Sequence, residues 1–328
     1  MGYFLEVGVR RFDEVMEEAL YHPERGFYAT GGAAGRRGDF LTSPEVGPLF
    51  GAVIARALDA WWDELRRPDP FTVVDAGAGP GTLARSVLAA EPTCGPALRY
   101  VLVERSAAQQ ALQPNDLEQR EDLPDEPFTG VVLANELLDN LPFRLVERTA
   151  EGWAEVCLGP GGEVLVPVEV DEPRPAPVGA RMPIQEQACR WLRDALAIVE
   201  RGRVVVIDYA DTTANLAQRP VDAWLRTYRH HERGGPPFED LGTQDITVEV
   251  AVDQLAAVRP PDHERSQAEF LAAHGIDELV EGGRLIWQER AHLGDLEAIR
   301  GRSRVTEAEA LTDPSGLGAF RVLEWVLG

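Results

Sequence analysis

The chain has 328 residues, 44% of them hydrophobic, and a formal net charge of −23. The length supports one large domain with additions or two domains, and the acidic excess opposes a nucleic-acid surface while favouring cationic or neutral partners. Every basic residue is arginine, which removes lysine-based phosphate loops and Schiff-base chemistry, and Cys94, Cys157 and Cys189 are too few and too scattered for a disulfide framework or a Cys-rich zinc site.

The opening stretch MGYFLEVGVRRF has no signal-peptide apolar core. Phe12, Met16, Ala19 and Leu20 then recur at helical spacing, and Pro23 and Gly26 within YHPERGFY end that helix. After a Gly/Arg-rich loop at 31–38, Thr42 precedes Glu45 by three residues ahead of an apolar run, the pattern of a capping box. That run, LFGAVIARALDAWW, is broken by Arg56, so nothing is expected to span a membrane, no metal is expected, and a cytoplasmic location is the expectation.

Strand signals at 71–75, 99–104 and 130–136, with a helix at 82–90 between the first two, predict an α/β fold with a mostly parallel sheet covered on both faces. WAEVCLGPGGEVLVPVEV predicts a hairpin about Gly-Pro-Gly-Gly. A Pro-rich loop (172–183), a helix near 184–200 and the buried-strand run RVVVIDYA follow. Residues 211–260 give no clear element, 264–274 and 293–300 predict helices, and FRVLEWVLG predicts a closing strand.

In FTVVDAGAGPGTLARSVL (71–88), Gly77, Gly79 and Gly81 alternate in a loop that joins a strand to a helix N-terminus. The dinucleotide fingerprint needs its last glycine or alanine where this chain has Thr82, so the spacing is wrong for NAD. Asp75, two residues before the first glycine, would repel a pyrophosphate and welcome an amino group or sulfonium. Glu104 closes the next strand, placed to accept hydrogen bonds from ribose hydroxyls. Asp75, Gly77, Ala78, Gly79, Gly81 and Glu104 therefore describe a pocket for an adenosine with cationic rather than phosphate substituents, and S-adenosylmethionine fits it. Glu121 or Asp122 could meet the adenine amino group.

MEEALYHPERGFY (16–28), GDFLTSPEVGPLFG (38–51), DAGAGPGTL (75–83), ANELLDNLP (134–142), VIDYA (206–210) and QDITVEV (244–250) appear in an order that resembles the MidA family. These are S-adenosylmethionine-dependent methyltransferases of bacteria and mitochondria, including a complex I assembly factor with protein arginine methyltransferase activity. The resemblance implies a Rossmann-like fold with a seven-stranded, mostly parallel sheet, an N-terminal helical segment and a hairpin-containing insertion. It divides the chain into residues 1–65, helical with a cofactor-covering loop, and a methyltransferase domain over 66–328. That domain carries an insertion at about 151–200 and a substrate-side segment at about 211–300. Gly38, Asp39, Thr42, Ser43 and Glu45 match the signature that folds over the cofactor, and Arg226, Tyr228 and Arg229 fall in a stretch near the acceptor. The chain departs from the family at Leu137 and Leu138, usually phenylalanines, at Asn140, usually alanine, and at Ala210, usually glycine.

Asn135, Glu136 and Asp139 follow GVVLA at the carboxyl end of a buried strand, where ligands collect. If 136–142 begin a helical turn, Glu136 and Asp139 share a face and make a clamp for a guanidinium, which carboxylates grip bidentately. The resemblance implies a protein acceptor, arginine, with a homodimer as a candidate assembly. Asn135-Glu136-Leu137-Leu138 replaces the Asn/Asp-Pro-Pro-aromatic pattern of nucleobase methyltransferases. Asp208 reads as a loop-stabilising residue, and the neighbours His230 and His231 read as packing rather than metal ligands. Two other readings stay open: an NAD-binding oxidoreductase, opposed by the glycine spacing and Asp75, and a non-catalytic assembly module, toward which only Leu137 and Leu138 point.

Overall fold

The computed structural model describes residues 8–30, 42–170, 176–229 and 232–328. Gly38, Asp39, His230 and His231 lie outside the described residues. Helix α1 (Phe12–Tyr21) buries Phe12, Met16, Ala19 and Leu20, the apolar stripe that its spacing predicts. A helical turn at Ser43–Val46 leads through Gly47 into α2 (Pro48–Glu64).

An alternation of strands and helices then builds the body of the protein. It runs β1 (Phe71–Ala76), α3 (Thr82–Ala89), β2 (Leu98–Val103), β3 (Glu118–Arg120) and β4 (Phe128–Asn135). Beyond β4 the chain leaves this body to form β5 (Arg144–Arg148), β6 (Trp153–Gly159), β7 (Gly162–Val168) and β8 (Arg181–Ile184). These four strands, with Arg10–Arg11 added to the edge of β6, make a separate antiparallel sheet, in which Gly159 faces Gly162 across the turn between β6 and β7.

Helix α4 (Glu186–Ile198) returns the chain to β9 (Val199–Asp208). Where the sequence gives no clear element, the structure has short pieces, chief among them the antiparallel pair β10 (Leu225–Arg229) and β11 (Asp245–Val248). The expected helix over 264–274 starts later, because β12 occupies His263–Ser266 and α5 runs Gln267–Ala273. The helix expected at 293–300 is part of a longer hairpin, α6 (Ile276–Arg290) and α7 (Leu296–Thr312). Strand β13 (Arg321–Leu327) closes the chain.

Among the described residues the large sheet has the order β12-β13-β9-β4-β1-β2-β3. Neighbours from β9 to β3 run parallel, whereas β13 is antiparallel to both β9 and β12, so the sheet is mixed. Its two faces are both covered, one by α2, α3 and the α5–α7 group, the other by α4, and the central strands are accordingly continuous apolar runs. From β1 the chain steps outward to β2 and β3, then crosses back to β4 on the other side of β1. That reversal splays the connections at the carboxyl ends of β1 and β4, and ligands of open α/β sheets settle in such a crevice.

Candidate active site

A cleft of about 580 Å³ opens at this reversal. Its wall includes Asp75 at the end of β1 and Gly77, Ala78 and Gly79 after it, Glu104 after β2, and Asn135 closing β4 with Glu136 after it. Thr42 and Glu45 contribute from the N-terminal side, and Glu121 and Asp122 from the loop before β4. Gly81, Ser43 and Asp139 do not line it.

The glycine loop is built around Glu104. Gly79 N–H donates to Glu104 Oε2 at 2.9 Å, and Ser106 N–H donates to Oε1 at 2.8 Å, so both carboxylate oxygens are fixed by backbone. Gly77 and Ala78 N–H groups both donate to the Val103 carbonyl, at 2.9 and 3.0 Å. Gly79 has φ 52°, in the left-handed region, and a Cβ there would enter open space in the cleft. Gly81 acts one step further back, where its N–H closes the turn on the Ala78 carbonyl at 2.9 Å before α3 begins.

The capping box expected at Thr42 and Glu45 does not form. Thr42 makes no side-chain cap, and Glu45 Oε1 instead accepts from the Thr82 hydroxyl at 2.6 Å, joining the N-terminal turn to the first residue of α3. Ser43 works through its backbone, donating to Glu136 Oε1 at 2.9 Å, while its hydroxyl donates to Gln267 Oε1 at 2.9 Å.

Glu136 and Asp139 do not share a helical face. Glu136 has φ 53°, an uncommon backbone for a residue with a side chain, and only Leu138–Asn140 form a 3₁₀ turn. The left-handed residue puts the Glu136 carboxyl on the cleft wall, where Asn135 Nδ2 also donates to Oε1 at 3.0 Å. Asp139 goes beneath the floor, its Oδ2 accepting from the Thr247 hydroxyl at 2.5 Å. Asp208 stabilises the loop, its Oδ2 accepting from the N–H groups of Leu138 and Asp139 at 3.1 and 3.2 Å.

Several groups at this site carry no simple signal in the sequence. Asn140 lines the cleft, donates to Asp245 Oδ1 at 3.2 Å, and accepts from the Tyr28 hydroxyl at 3.0 Å. Tyr28 also donates to Asp245 Oδ1 at 3.1 Å, and Tyr21 donates to the Asn140 carbonyl at 3.1 Å. Trp191 and Asp194 of α4 complete the far wall. Arg226 stays outside the cleft, its guanidinium donating to Glu249 at 2.7 Å and lying 5.7 Å from the Tyr209 ring centroid.

Burial raises four carboxyls at the site. Asp75 is pushed up to about 7, although the Tyr100 hydroxyl donates to it at 3.2 Å and opposes the shift. Burial takes Glu136 to about 8, with repulsion from Asp139 adding and the Ser43 N–H opposing. Asp245 reaches about 7, again from burial first and Asp139 second. Glu104 is raised by burial against the pull of the Ser106 and Gly79 N–H groups.

The cleft is therefore acidic as well as concave. Among the described residues eight carboxyl side chains line it, Glu45, Asp75, Glu104, Glu121, Asp122, Asp125, Glu136 and Asp194, against one guanidinium, Arg105, which pairs with Glu17 at 2.7 Å. A diphosphate would meet that predominantly acidic lining. An adenosine bearing an amino group and a sulfonium suits both the field and the open space over Gly79. Among the described residues no group of three or more His, Cys, Asp or Glu could hold a metal ion, and no helix is long and apolar enough to cross a membrane.

Comparison with known proteins gives the same direction. Residues 53–266 match the model of a family described as "Putative S-adenosyl-L-methionine-dependent methyltransferase". A mitochondrial protein arginine methyltransferase NDUFAF7 from Danio rerio is 26% identical over 82% of this chain and 74% of its own length. The Mus musculus protein of that name is 28% identical over 44% of this chain, and a Drosophila melanogaster homologue is 44% identical over 23%. In those two matches the chain spans only 40% and 17% of the relative's length. A crystal structure from Burkholderia thailandensis, bound to S-adenosyl-homocysteine, superposes with a TM-score of 0.81 at 28% identity, covering 97% of this chain and 88% of the other.

Proposed function

The chain belongs to that family of S-adenosyl-L-methionine-dependent methyltransferases, and we propose that it methylates an arginine side chain of a protein. The observation that carries the acceptor is Glu136. Its carboxyl stands on the cleft wall beside the glycine loop, with Leu137 packed where a Cβ on Gly77 would fall 3.0 Å from it. The arginine methyltransferase relatives support the same acceptor.

Bound S-adenosylmethionine supplies an electrophilic methyl group on a sulfonium. Glu104, held by two backbone N–H groups, would take the ribose hydroxyls, and the field of Asp75 would favour the amino end. The open cleft over Gly77, Ala78 and Gly79 would take the body of the cofactor, with Gly81 shaping the turn behind it. Asp122 or Glu121 would meet the adenine edge. Thr42, Ser43 and Glu45 would belong to a cover over the cofactor, within the segment of residues 1–65.

Glu136 would orient the guanidinium, with Asn135 steadying Glu136 and Asp139 setting the charge beneath. An ionised carboxylate facing a guanidinium fixes its plane and draws charge from the attacking nitrogen. Placing nucleophile and methyl together supplies roughly 7–11 kcal/mol of such a barrier. The insertion around 151–200 and the segment around 211–300 would frame the acceptor side of a seven-stranded Rossmann-like domain.

Incubation with labelled S-adenosylmethionine and arginine-containing or lysine-substituted peptides tests the acceptor. Label on the arginine peptide alone is the expected result. Label on lysine, or on neither peptide with cofactor bound, would remove arginine as the acceptor.

A further inference from the structure

At the cleft wall and beneath it the structure gathers four carboxyls. Glu136, Asp139 and Asp245 accept the hydrogen bonds described above, and Asp208 accepts from the N–H groups of Leu138, Asp139 and, through Oδ1, Tyr209 at 2.9 Å. None of these donors is cationic. Among the described residues, the groups that face the cluster are Tyr21 and Tyr28 from the N-terminal segment, Asn135 from β4, Asn140 of the 3₁₀ turn, Tyr209 after β9, and Thr247 of β11. Arg226 sits across the Tyr209 ring and is held by Glu249 and the Ala223 carbonyl.

Two acceptors are left over. Among the described residues Asn135 Oδ1 and Asp139 Oδ1 are buried without a hydrogen-bond partner, in residues only 9% and 2% exposed. Asn135 lines the cleft, and its unpartnered acceptor is buried in the wall beside Glu136. A guanidinium in the cleft, with one positive charge, would stand beside Asn135 and Glu136 and would act on Asp139, beneath the floor, through its charge. One positive charge does not balance four ionised carboxylates, so the cluster must hold protons when nothing is bound.

We propose that the Glu136–Asp139–Asp208–Asp245 cluster stores protons in the free enzyme and that a docking guanidinium displaces them, so that acceptor binding releases protons to solvent. The inference rests on the guanidinium reading above. The raised Glu136, Asp139, Asp208 and Asp245 carboxyls agree with it, burial being the first cause in each and mutual repulsion contributing for Glu136, Asp208 and Asp245. Because protons leave on binding, acceptor affinity rises with pH through neutrality and levels off once the cluster is ionised.

The test uses the full chain saturated with S-adenosylhomocysteine and the probe peptide acetyl-Gly-Arg-Gly-amide, with a citrulline peptide as the neutral control. Calorimetric titration at pH 7 in phosphate and in Tris reads proton release from the difference in heat between buffers. Infrared spectra of the ligand-free protein at pH 7 and pH 9 read the carbonyl stretch of protonated carboxyls independently of any peptide. The expected result is a protonated-carboxyl band at pH 7 that weakens by pH 9, with about one proton released per arginine peptide at pH 7 and none at pH 9. Arginine binding with buffer-independent heat, or absence of the band at pH 7, overturns stored protons and leaves the guanidinium reading standing. A band at pH 7 with equal binding of the citrulline peptide, or with no binding of either, overturns the guanidinium reading and the release with it.

Discussion

The Ser43 N–H donates to Glu136 Oε1 at 2.9 Å, joining two residues 93 positions apart. Through that bond the turn preceding α2 reaches over the carboxyl end of β4 and orients the one acidic side chain that stands at the cleft wall in a left-handed backbone. Glu45 makes a parallel connection to Thr82 at the start of α3. The N-terminal turn thus grips both sides of the sheet reversal.

Replacing Glu136 by glutamine keeps an oxygen for the Ser43 N–H and removes the charge. Methyl transfer is expected to fall about 100-fold to 1,000-fold in kcat, as when an electrostatic stabiliser is lost, with cofactor affinity unchanged. Steady-state kinetics and calorimetry on the same preparation check both halves; unaltered kcat would take away the role of Glu136.

At Gly79, alanine would carry a Cβ into the open cleft from a φ of 52°. The left-handed backbone costs a non-glycine residue roughly 1–2 kcal/mol. The strain lowers stability, and the Cβ would stand in the space the cofactor takes, so cofactor affinity is expected to fall by about tenfold or more, about 1.4 kcal/mol of binding energy. Equilibrium titration with S-adenosylhomocysteine measures this, and the unchanged affinity of Gly152→Ala, outside the cleft, serves as the control.

Glu307 of α7 is buried, with its Oε2 accepting from the Leu49 N–H near the start of α2 at 2.9 Å. Glu307→Ala would strand that buried N–H, a loss of about 1–3 kcal/mol. Chemical denaturation should show a lowered midpoint with an unchanged slope; full stability would mean that water replaces the carboxylate.

The pH dependence of stability has a definite sign. Asp75 and Asp245 at about 7 and Glu136 at about 8 hold protons in the folded chain that the unfolded chain releases near pH 4. Their contribution is complete below about pH 4 and is lost as pH rises through about 7 to 8. Ligand-free protein should therefore melt at a lower temperature at pH 9 than at pH 6, and Asp245→Asn should narrow that difference. A melting temperature that rises from pH 6 to 9 would contradict the raised carboxyls.

Much of this arrangement is legible along the chain. The runs around Val73, Val101 and Val132 declare buried strands, and Gly77, Gly79 and Gly81 declare the loop, because both signals are local. Thr42 and Glu45 mislead for the same reason: the spacing fits a capping box, yet Thr82, 37 residues away, takes Glu45. The Tyr28, Asn140 and Asp245 network is invisible in sequence, since its contacts span 105 to 217 residues and depend on β11 packing under the 3₁₀ turn. The left-handed Glu136 likewise follows from tertiary constraint, its N–H donating to the Ile207 carbonyl of the neighbouring strand at 2.8 Å.

The cleft over the glycine loop should accept a cationic methionyl-adenosine and reject a diphosphate. Calorimetric titration of the purified protein with S-adenosylmethionine and, separately, with NADH tests it most directly. Saturable one-to-one binding of S-adenosylmethionine with no heat from NADH is the predicted result. Binding of NADH with none of S-adenosylmethionine would contradict it.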